Sequence, residues 1–165
     1  MSTYVATVDW RRAGDFASRR YSRGHTLGFE GGLTVPGTAG PANVNPRYAV
    51  EGALDPEQAF TASIAACHML WFLDIAARAG FLVEAYRDEA EGTLAAGPGG
   101  KQMMTRVVLR PEVAFAGARR PAPEELADLH HRAHEECFIA NSVTSEVVIE
   151  VRDGPGGPPH HDEPS

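Results

Sequence analysis

The longest apolar stretch of the chain lies between Asp55 and Gly80 and predicts a long helix. Asp55 is suited to cap the first turn, Pro56 suits the first helical position, and Gln58 stands three residues after the cap, as in a capping box. Gly80 is suited to end the helix, because glycine readily adopts the backbone conformation of helix C-termini. The middle of the segment is apolar on every side, which indicates burial in a core.

Charged residues near both ends of this helix argue against a membrane span. About 24 residues at 1.5 Å each give a length of roughly 36 Å. Glu57, Asp74 and Arg78 nevertheless lie inside its ends. We therefore expect a core helix of a protein that does not enter a membrane.

Shorter segments rich in β-branched and aromatic residues predict strands on both sides of this helix. Three strands are expected before it and three after it, at 3–10, 26–30, 33–35, 81–95, 104–115 and 145–151. Gly31 and Gly32 predict a hairpin turn between the second and third strands. A long loop is expected over 36–54, and a second helix runs from Pro121 to Cys137.

The order of these elements predicts an α+β fold, with antiparallel sheets packed around two core helices. We assign one domain to residues 1–152. Residues 153–165 are rich in glycine and proline, and we expect this tail to be disordered. Trp10 and Trp71 are expected to fill the core. Two helices this apolar are hard to cover with one small sheet, so we also expect a homodimer.

Composition narrows the class of protein. The net charge of -7 and the lack of a basic cluster argue against a general nucleic-acid binder. No apolar segment follows a basic region near the N-terminus, so no signal peptide is predicted. Two cysteines are too few for a secreted disulfide scaffold and are typical of a cytoplasmic protein.

Both cysteines lie on predicted core helices. Cys67 stands where the long helix changes from small to large side chains, and Cys137 follows the apolar positions of the second helix. A free cysteine is most often a small buried hydrophobic residue. The alternative is a redox pair, in which one thiolate attacks an oxidant and the other cysteine closes a disulfide. Such a pair needs a cation near the attacking thiolate and a carboxylate that orients the cation.

The second helix carries three histidines close to Cys137, namely His130, His131 and His134. These residues could form part of a metal site, because His130 and His134 are four residues apart and share a helix face. No second ligand pair with zinc spacing accompanies them, so we expect solvated histidines and neither a metal nor another cofactor. His25 and His68 are each suited either to tune a thiolate or to make a structural hydrogen bond.

Two motifs together resemble the OsmC/Ohr family of thiol-dependent hydroperoxide reductases. The first is Asp55–Phe60, which leads through small residues to Ala65-Ala66-Cys67. The second is Ala133–Cys137, which continues into Phe138–Ser142. The order of elements is also similar to that of the family, and the likeness extends from about residue 3 to residue 152.

The resemblance implies an intertwined homodimer in which four residues are catalytic. Cys67 corresponds to the peroxidatic cysteine, which attacks the peroxide, and Cys137 to the resolving cysteine. Glu57 corresponds to the carboxylate that positions an arginine against the thiolate. Arg23 is the best match for that arginine.

Two points about this set stay open. Arg20 and Arg19 are rivals of Arg23. Glu57 and Cys67 are ten residues apart, or about 15 Å along a continuous helix. Glu57 must therefore lie in the loop before the helix or come from the partner subunit.

The resemblance further implies an enzyme that reduces organic hydroperoxides in oxidative-stress defence and is re-reduced by a lipoyl-type dithiol. An apolar pocket that favours organic peroxides is expected beside Cys67, lined by Met69, Leu70, Trp71 and Phe72. The alternative is a non-catalytic protein of the same fold that binds a small apolar ligand at the dimer interface. A short Cys67–Cys137 separation with an arginine at the thiolate favours the enzyme, and thiols that point apart, or a missing arginine, favour the alternative.

Overall fold

Helix α1 (Pro56–Arg78) is the longest element of the computed structural model, which describes residues 1–152. The Gln58 N–H donates to Asp55 Oδ1 at 2.8 Å, and the Asp55 N–H donates to Gln58 Oε1 at 3.5 Å. The predicted capping box is therefore present. Gly80 follows the helix with φ +80°, as expected of a glycine at a helix C-terminus. The predicted disorder of 153–165 lies outside the described residues.

The chain divides into two compact units, Met1–Phe60 and Thr61–Ser165. The first contains five short strands: β1 (Ala6–Asp9), β2 (Gly14–Asp15), β3 (Arg20–Tyr21), β4 (His25–Phe29) and β5 (Thr34–Gly37). β4 lies between β1 and β5 and is antiparallel to both, and Gly31 and Gly32 have positive φ in the turn that joins β4 to β5. The predicted hairpin is confirmed. The β2–β3 pair was not predicted, since each strand has only two residues.

The second unit contains most of α1 and six further elements: β6 (Leu82–Asp88), β7 (Glu91–Ala96), β8 (Gln102–Leu109), β9 (Pro111–Ala116), α2 (Pro123–Glu136) and β10 (Glu146–Ile149). β6 pairs with β9, and β8 lies between β7 and β10. The β6–β9 and β7–β8 pairs are antiparallel, whereas β10 is parallel to β8. These elements confirm the α+β class.

Two of the predicted long strands are each broken in two. The segment 81–95 divides into β6 and β7, and the segment 104–115 divides into β8 and β9. The breaks face each other, because the Arg110 N–H between β8 and β9 donates to Asp88 Oδ1 at 2.7 Å. Pro111 has no N–H to continue the ladder. The prediction of two continuous strands is therefore wrong.

The core of the second unit lies between α1, α2, β6 and β9. Its buried side chains are Phe72, Ile75, Ala76, Phe81, Val113, Leu129 and Ala133. α1 contributes one face only, since Ala62, Ala66 and Leu70 on the opposite face are exposed, Leu70 by 62%. The prediction that α1 is buried on every side is wrong for the single chain. α1 is long and apolar enough to cross a membrane, a test that the core helix of a soluble protein also passes.

Candidate functional site

The two cysteines meet between α1 and the end of α2. Cys67 is half-buried on α1, whereas Cys137 is only 1% exposed. Both are free thiols, and their side chains are close enough for the Cys67 thiol to act on the pKa of Cys137. The sequence singled out both residues, and the structure brings them together.

Cys137 is the first residue after α2. The prediction that it lies within the second helix is therefore wrong. The chain turns there, with the Asn141 N–H donating to the Cys137 carbonyl at 3.0 Å and the Ala140 N–H donating to Cys137 Sγ at 3.4 Å. The Asn141 side chain donates to the Glu135 carbonyl at 2.8 Å and secures the turn. Burial, followed by the effect of the neighbouring Cys67 thiol, raises the pKa of Cys137 to about 11.

A buried pair of histidines links the same two helices. His68 Nε2 on α1 lies 3.1 Å from His130 Nδ1 on α2, and the two rings are nearly parallel, with an interplanar angle of 5°. Phe72 stacks on His130 at 4.3 Å between ring centroids. His68 and His130 are 1% and 2% exposed. The outer nitrogens, His68 Nδ1 and His130 Nε2, are buried without a hydrogen-bond partner.

Burial keeps both imidazoles neutral. Loss of solvation, with a smaller effect of His134, lowers the pKa of His68 to about 4. Loss of solvation, with a smaller effect of His68, lowers the pKa of His130 to about 3. The prediction of solvated helix histidines is therefore wrong for His130, whereas His131 is exposed and lies 3.5 Å from Glu135.

The role of His130 was missed, although the sequence carried a signal for it. His130 stands four residues after Leu126 and three before Ala133, on the apolar stripe of α2. A histidine on such a stripe is buried with its neighbours. Within residues 1–152, no group of three or more histidine, cysteine or acidic side chains is arranged to hold a metal ion.

Arg23 lines a cavity of about 510 Å³ in the first unit. The cavity wall includes the aromatic rings of Trp10, Phe16 and Tyr21, whose centroids lie 4.7 to 5.8 Å apart. The Arg23 guanidinium lies over the Tyr21 ring at 3.6 Å, and its Nη1 donates to the Tyr21 carbonyl at 2.6 Å. Trp10 is 39% exposed at this cavity, so the prediction that it fills the core is wrong.

The rival arginines have other surroundings. Arg20 pairs with Asp15 at 3.3 Å on the surface, and Arg19 occupies the β2–β3 turn with φ +63°. Of the three, Arg23 is the one that lines the cavity. His25 in the same wall bonds the Arg23 carbonyl through Nδ1 at 2.9 Å, which is a structural hydrogen bond.

Glu57 lies in the first turn of α1, not in the preceding loop. The loop alternative for Glu57 is therefore excluded. Its Oε1 accepts from Asn43 Nδ2 at 2.9 Å.

The side chains that follow Cys67 do not line one pocket. Phe72 is completely buried in the core, whereas Leu70 points to solvent. The Trp71 ring stands edge-on to Phe138, with 5.4 Å between centroids. The prediction of an apolar pocket formed by these consecutive residues is wrong, because a helix turns successive side chains to different sides.

The sequence profile of the family described as OsmC-like protein matches residues 49–152. The chain belongs to the OsmC-like family. An OsmC-like protein of unknown function from Vibrio cholerae shares 47% identity, with a TM-score of 0.90 over 92% of this chain and 100% of that one.

More distant OsmC-like structures share the fold. An organic hydroperoxide resistance protein from Elizabethkingia anophelis is 18% identical, with a TM-score of 0.69 over 93% of this chain and 98% of that one. The organic hydroperoxide resistance protein OhrB of Bacillus subtilis is 19% identical, with a TM-score of 0.66 over 92% and 98%. No curated protein matches this chain.

Proposed function

We propose that this OsmC-like protein is a thiol-dependent peroxidase that reduces organic hydroperoxides through Cys67 and Cys137. The observation that carries the proposal is that the two thiols lie close enough for Cys67 to act on the pKa of Cys137. Two neighbouring thiols need little movement to form a disulfide. Their unequal exposure supports an order of events, since an oxidant reaches the half-buried Cys67 more easily than the buried Cys137.

The reaction runs in three steps. The Cys67 thiolate attacks the distal oxygen of ROOH, the O–O bond breaks, and the alkoxide takes a proton and leaves as ROH, so that Cys67 becomes a sulfenic acid. The Cys137 sulfur then attacks the Cys67 sulfur and releases water, which forms the disulfide. A dithiol, proposed to be of the lipoyl type, returns both cysteines to thiols and is itself oxidised to a disulfide.

Arg23 and Glu57 have proposed roles in the first step. A guanidinium beside Cys67 stabilises the thiolate and polarises the peroxide, and a carboxylate holds the guanidinium through paired hydrogen bonds. Since Glu57 lies within α1, we propose that it comes from the partner subunit of a homodimer. The exposed apolar face of α1, which includes Ala62, Ala66 and Leu70, supports such an assembly.

The proposed substrate class is organic. The aromatic wall of the cavity that Arg23 lines suits an apolar R group better than hydrogen peroxide. Two structural neighbours carry the name organic hydroperoxide resistance protein, which supports the same class. Defence against oxidative stress in the cytoplasm is the setting that we propose.

Peroxide consumption by the reduced protein tests this function. We expect turnover of cumene hydroperoxide with dihydrolipoamide, slower turnover of hydrogen peroxide, and no turnover in Cys67→Ser. The control is Cys137→Ser, which should reduce one equivalent of peroxide and then stop when a dithiol is withheld. Consumption by Cys67→Ser at the wild-type rate would refute the proposal.

The cavity of the first unit favours a second candidate, the binding of a small apolar ligand without catalysis. In a Trp71→Phe variant, Trp10 is the remaining tryptophan and reports on the cavity wall. Saturable quenching of Trp10 fluorescence by cumyl alcohol, without peroxide consumption by the wild type, would favour this candidate over the enzyme.

A further inference from the structure

We propose that the hydrogen bond between His68 and His130 positions Cys67 against Cys137 while both imidazoles are neutral, and that acid separates the two thiols by charging this pair. The inference deepens the proposed function, because it names what holds the redox pair together. His68 and His130 are called the histidine pair below. They are positioning residues and take no part in the chemistry of the peroxide.

The histidine pair and the thiol pair join the same two helices. His68 follows Cys67 directly on α1, and His130 stands seven residues, or about two helical turns, before Cys137 at the end of α2. The histidine bond of 3.1 Å links the helices beside Phe72, whose ring stacks on His130. Because a hydrogen bond is directional and apolar packing is not, this bond sets how α1 and α2 are rotated against each other.

The number of protons on the histidine pair limits the hydrogen bonds that it can make. Two neutral imidazoles carry two N–H protons on four nitrogens. One proton lies in the bond between His68 Nε2 and His130 Nδ1. The second must lie on one of the outer nitrogens, His68 Nδ1 or His130 Nε2, which are both buried without a partner.

An additional proton makes this arrangement unfavourable. It places a full charge on rings that are 1% and 2% exposed and whose outer nitrogens are buried without a hydrogen-bond partner. Among residues 1–152, His134 on α2 is the titratable group that acts on His68, and His68 is the one that acts on His130. Phe72, which stacks on His130, also contacts the ring of Tyr86 on β6, which is titratable. None of these groups is a carboxylate, so opening to water is the remaining way to stabilise the charge.

The two histidines can be replaced by side chains that do not titrate and still form a hydrogen bond. The amide of glutamine places a polar atom where His68 Nε2 lies, and the amide of asparagine places one where His130 Nδ1 lies. The double variant His68→Gln/His130→Asn therefore keeps one hydrogen bond between α1 and α2. His131→Asn changes an exposed histidine of the same helix and serves as the matched control.

Disulfide closure by diamide tests the inference independently of peroxidase activity. Diamide takes two hydrogens from the two thiols, is reduced to a hydrazine, and leaves the Cys67–Cys137 disulfide. We expect closure in the wild type and in His131→Asn to slow between about pH 7.5 and about pH 4, near the pKa of His68, by at least about twofold more than in the double variant. Equal pH dependence in all three proteins would overturn the inference.

A spectroscopic measurement on the wild type covers the case in which the double variant does not fold. ¹⁵N spectra of the imidazoles should show neutral His68 and His130 at pH 7.5, and the imidazolium signals should appear over the same pH range in which closure slows. Slowing of closure while both rings stay neutral would overturn the inference. If the wild type consumes no peroxide but its disulfide closure is still acid-sensitive, the proposed peroxidase function is refuted and the inference about the histidine pair stands.

Discussion

The thiol of Cys67 lies beside the thiol of Cys137, seventy residues later in the chain, and acts on its pKa. The first is half-buried and the second is almost fully enclosed, with its pKa raised chiefly by burial. A thiol of raised pKa is a poor first nucleophile at neutral pH, because little of it is ionised. The asymmetry therefore supports Cys67 as the residue that meets the oxidant and Cys137 as the residue that resolves it.

Removal of the guanidinium from Arg23 is expected to lower the rate of peroxide consumption by two orders of magnitude or so, because the thiolate then loses its cation. Arg23→Ala tests this, and Arg23→Lys should recover only part of the rate, since lysine cannot make paired hydrogen bonds. Arg20→Ala is the matched control, because Arg20 pairs with Asp15 on the surface. A larger loss in Arg20→Ala than in Arg23→Ala would assign the role to Arg20.

Acid is expected to destabilise the folded protein through the histidine pair. The pKa of His68 falls from its ordinary value of 6.5 to about 4 on folding, and burial is the main cause. In the unfolded chain, His68 therefore binds a proton below about pH 6.5, whereas in the folded chain it binds this proton only below about pH 4. The neutral His68 therefore contributes fully to the free energy of unfolding above pH 6.5. This contribution falls with the pH, by on the order of 3 kcal/mol at pH 4.

Urea unfolding between pH 7.5 and pH 4 measures this loss. His68→Gln/His130→Asn should show a shallower decline in the free energy of unfolding than the wild type, and His131→Asn should follow the wild type. A wild-type free energy of unfolding that rises on acidification would contradict the assignment of both imidazoles as neutral.

Most of the fold could be predicted from local signals. The capping box at Asp55 and Gln58, and the glycine pair between β4 and β5, each depend on residues close in sequence, and both are present. The break between β8 and β9 could not be predicted, because it is coupled to Asp88, which lies 22 residues before Arg110. Contacts of this kind leave no periodic pattern.

The candidate site was predictable only in part. Cys67 and Cys137 were paired from a resemblance to a family, since no pattern within one helix connects them. His130 was expected in solvent because a histidine is polar, but its place on the apolar stripe of α2 decides its burial. The exposed apolar face of α1 could not be predicted either, because an apolar sequence does not distinguish burial within one chain from burial against another.

Gly92→Ala is expected to destabilise the protein by about 1–3 kcal/mol, because an added Cβ overpacks the site. That atom would overlap Thr61 Oγ1 and would lie 2.5 Å from Met104 Cε. Gly28→Ala is the control, since its Cβ would meet only Thr7 at an ordinary 3.6 Å. Thermal unfolding compares the two variants, and an equal melting temperature would contradict the close packing of Thr61 and Met104 against Gly92.

Leu70→Glu is expected to dissociate the proposed homodimer, because it places a charge on the exposed apolar face of α1. Sedimentation velocity should show the wild type as a dimer and the variant shifted towards the monomer. Leu82→Glu changes an exposed leucine of β6 and is the control for a general effect of charge. A wild-type protein that sediments as a monomer would remove the support for Glu57 acting from the partner subunit.

The central claim is that Cys67 and Cys137 form one redox pair, and peptide mass spectrometry after a single equivalent of cumene hydroperoxide tests it most directly. The account predicts a Cys67–Cys137 disulfide, with a loss of two hydrogens per chain, that dihydrolipoamide reverses. Both thiols still reduced and open to alkylation, or Cys67 joined to Cys67 of a second chain, would contradict it.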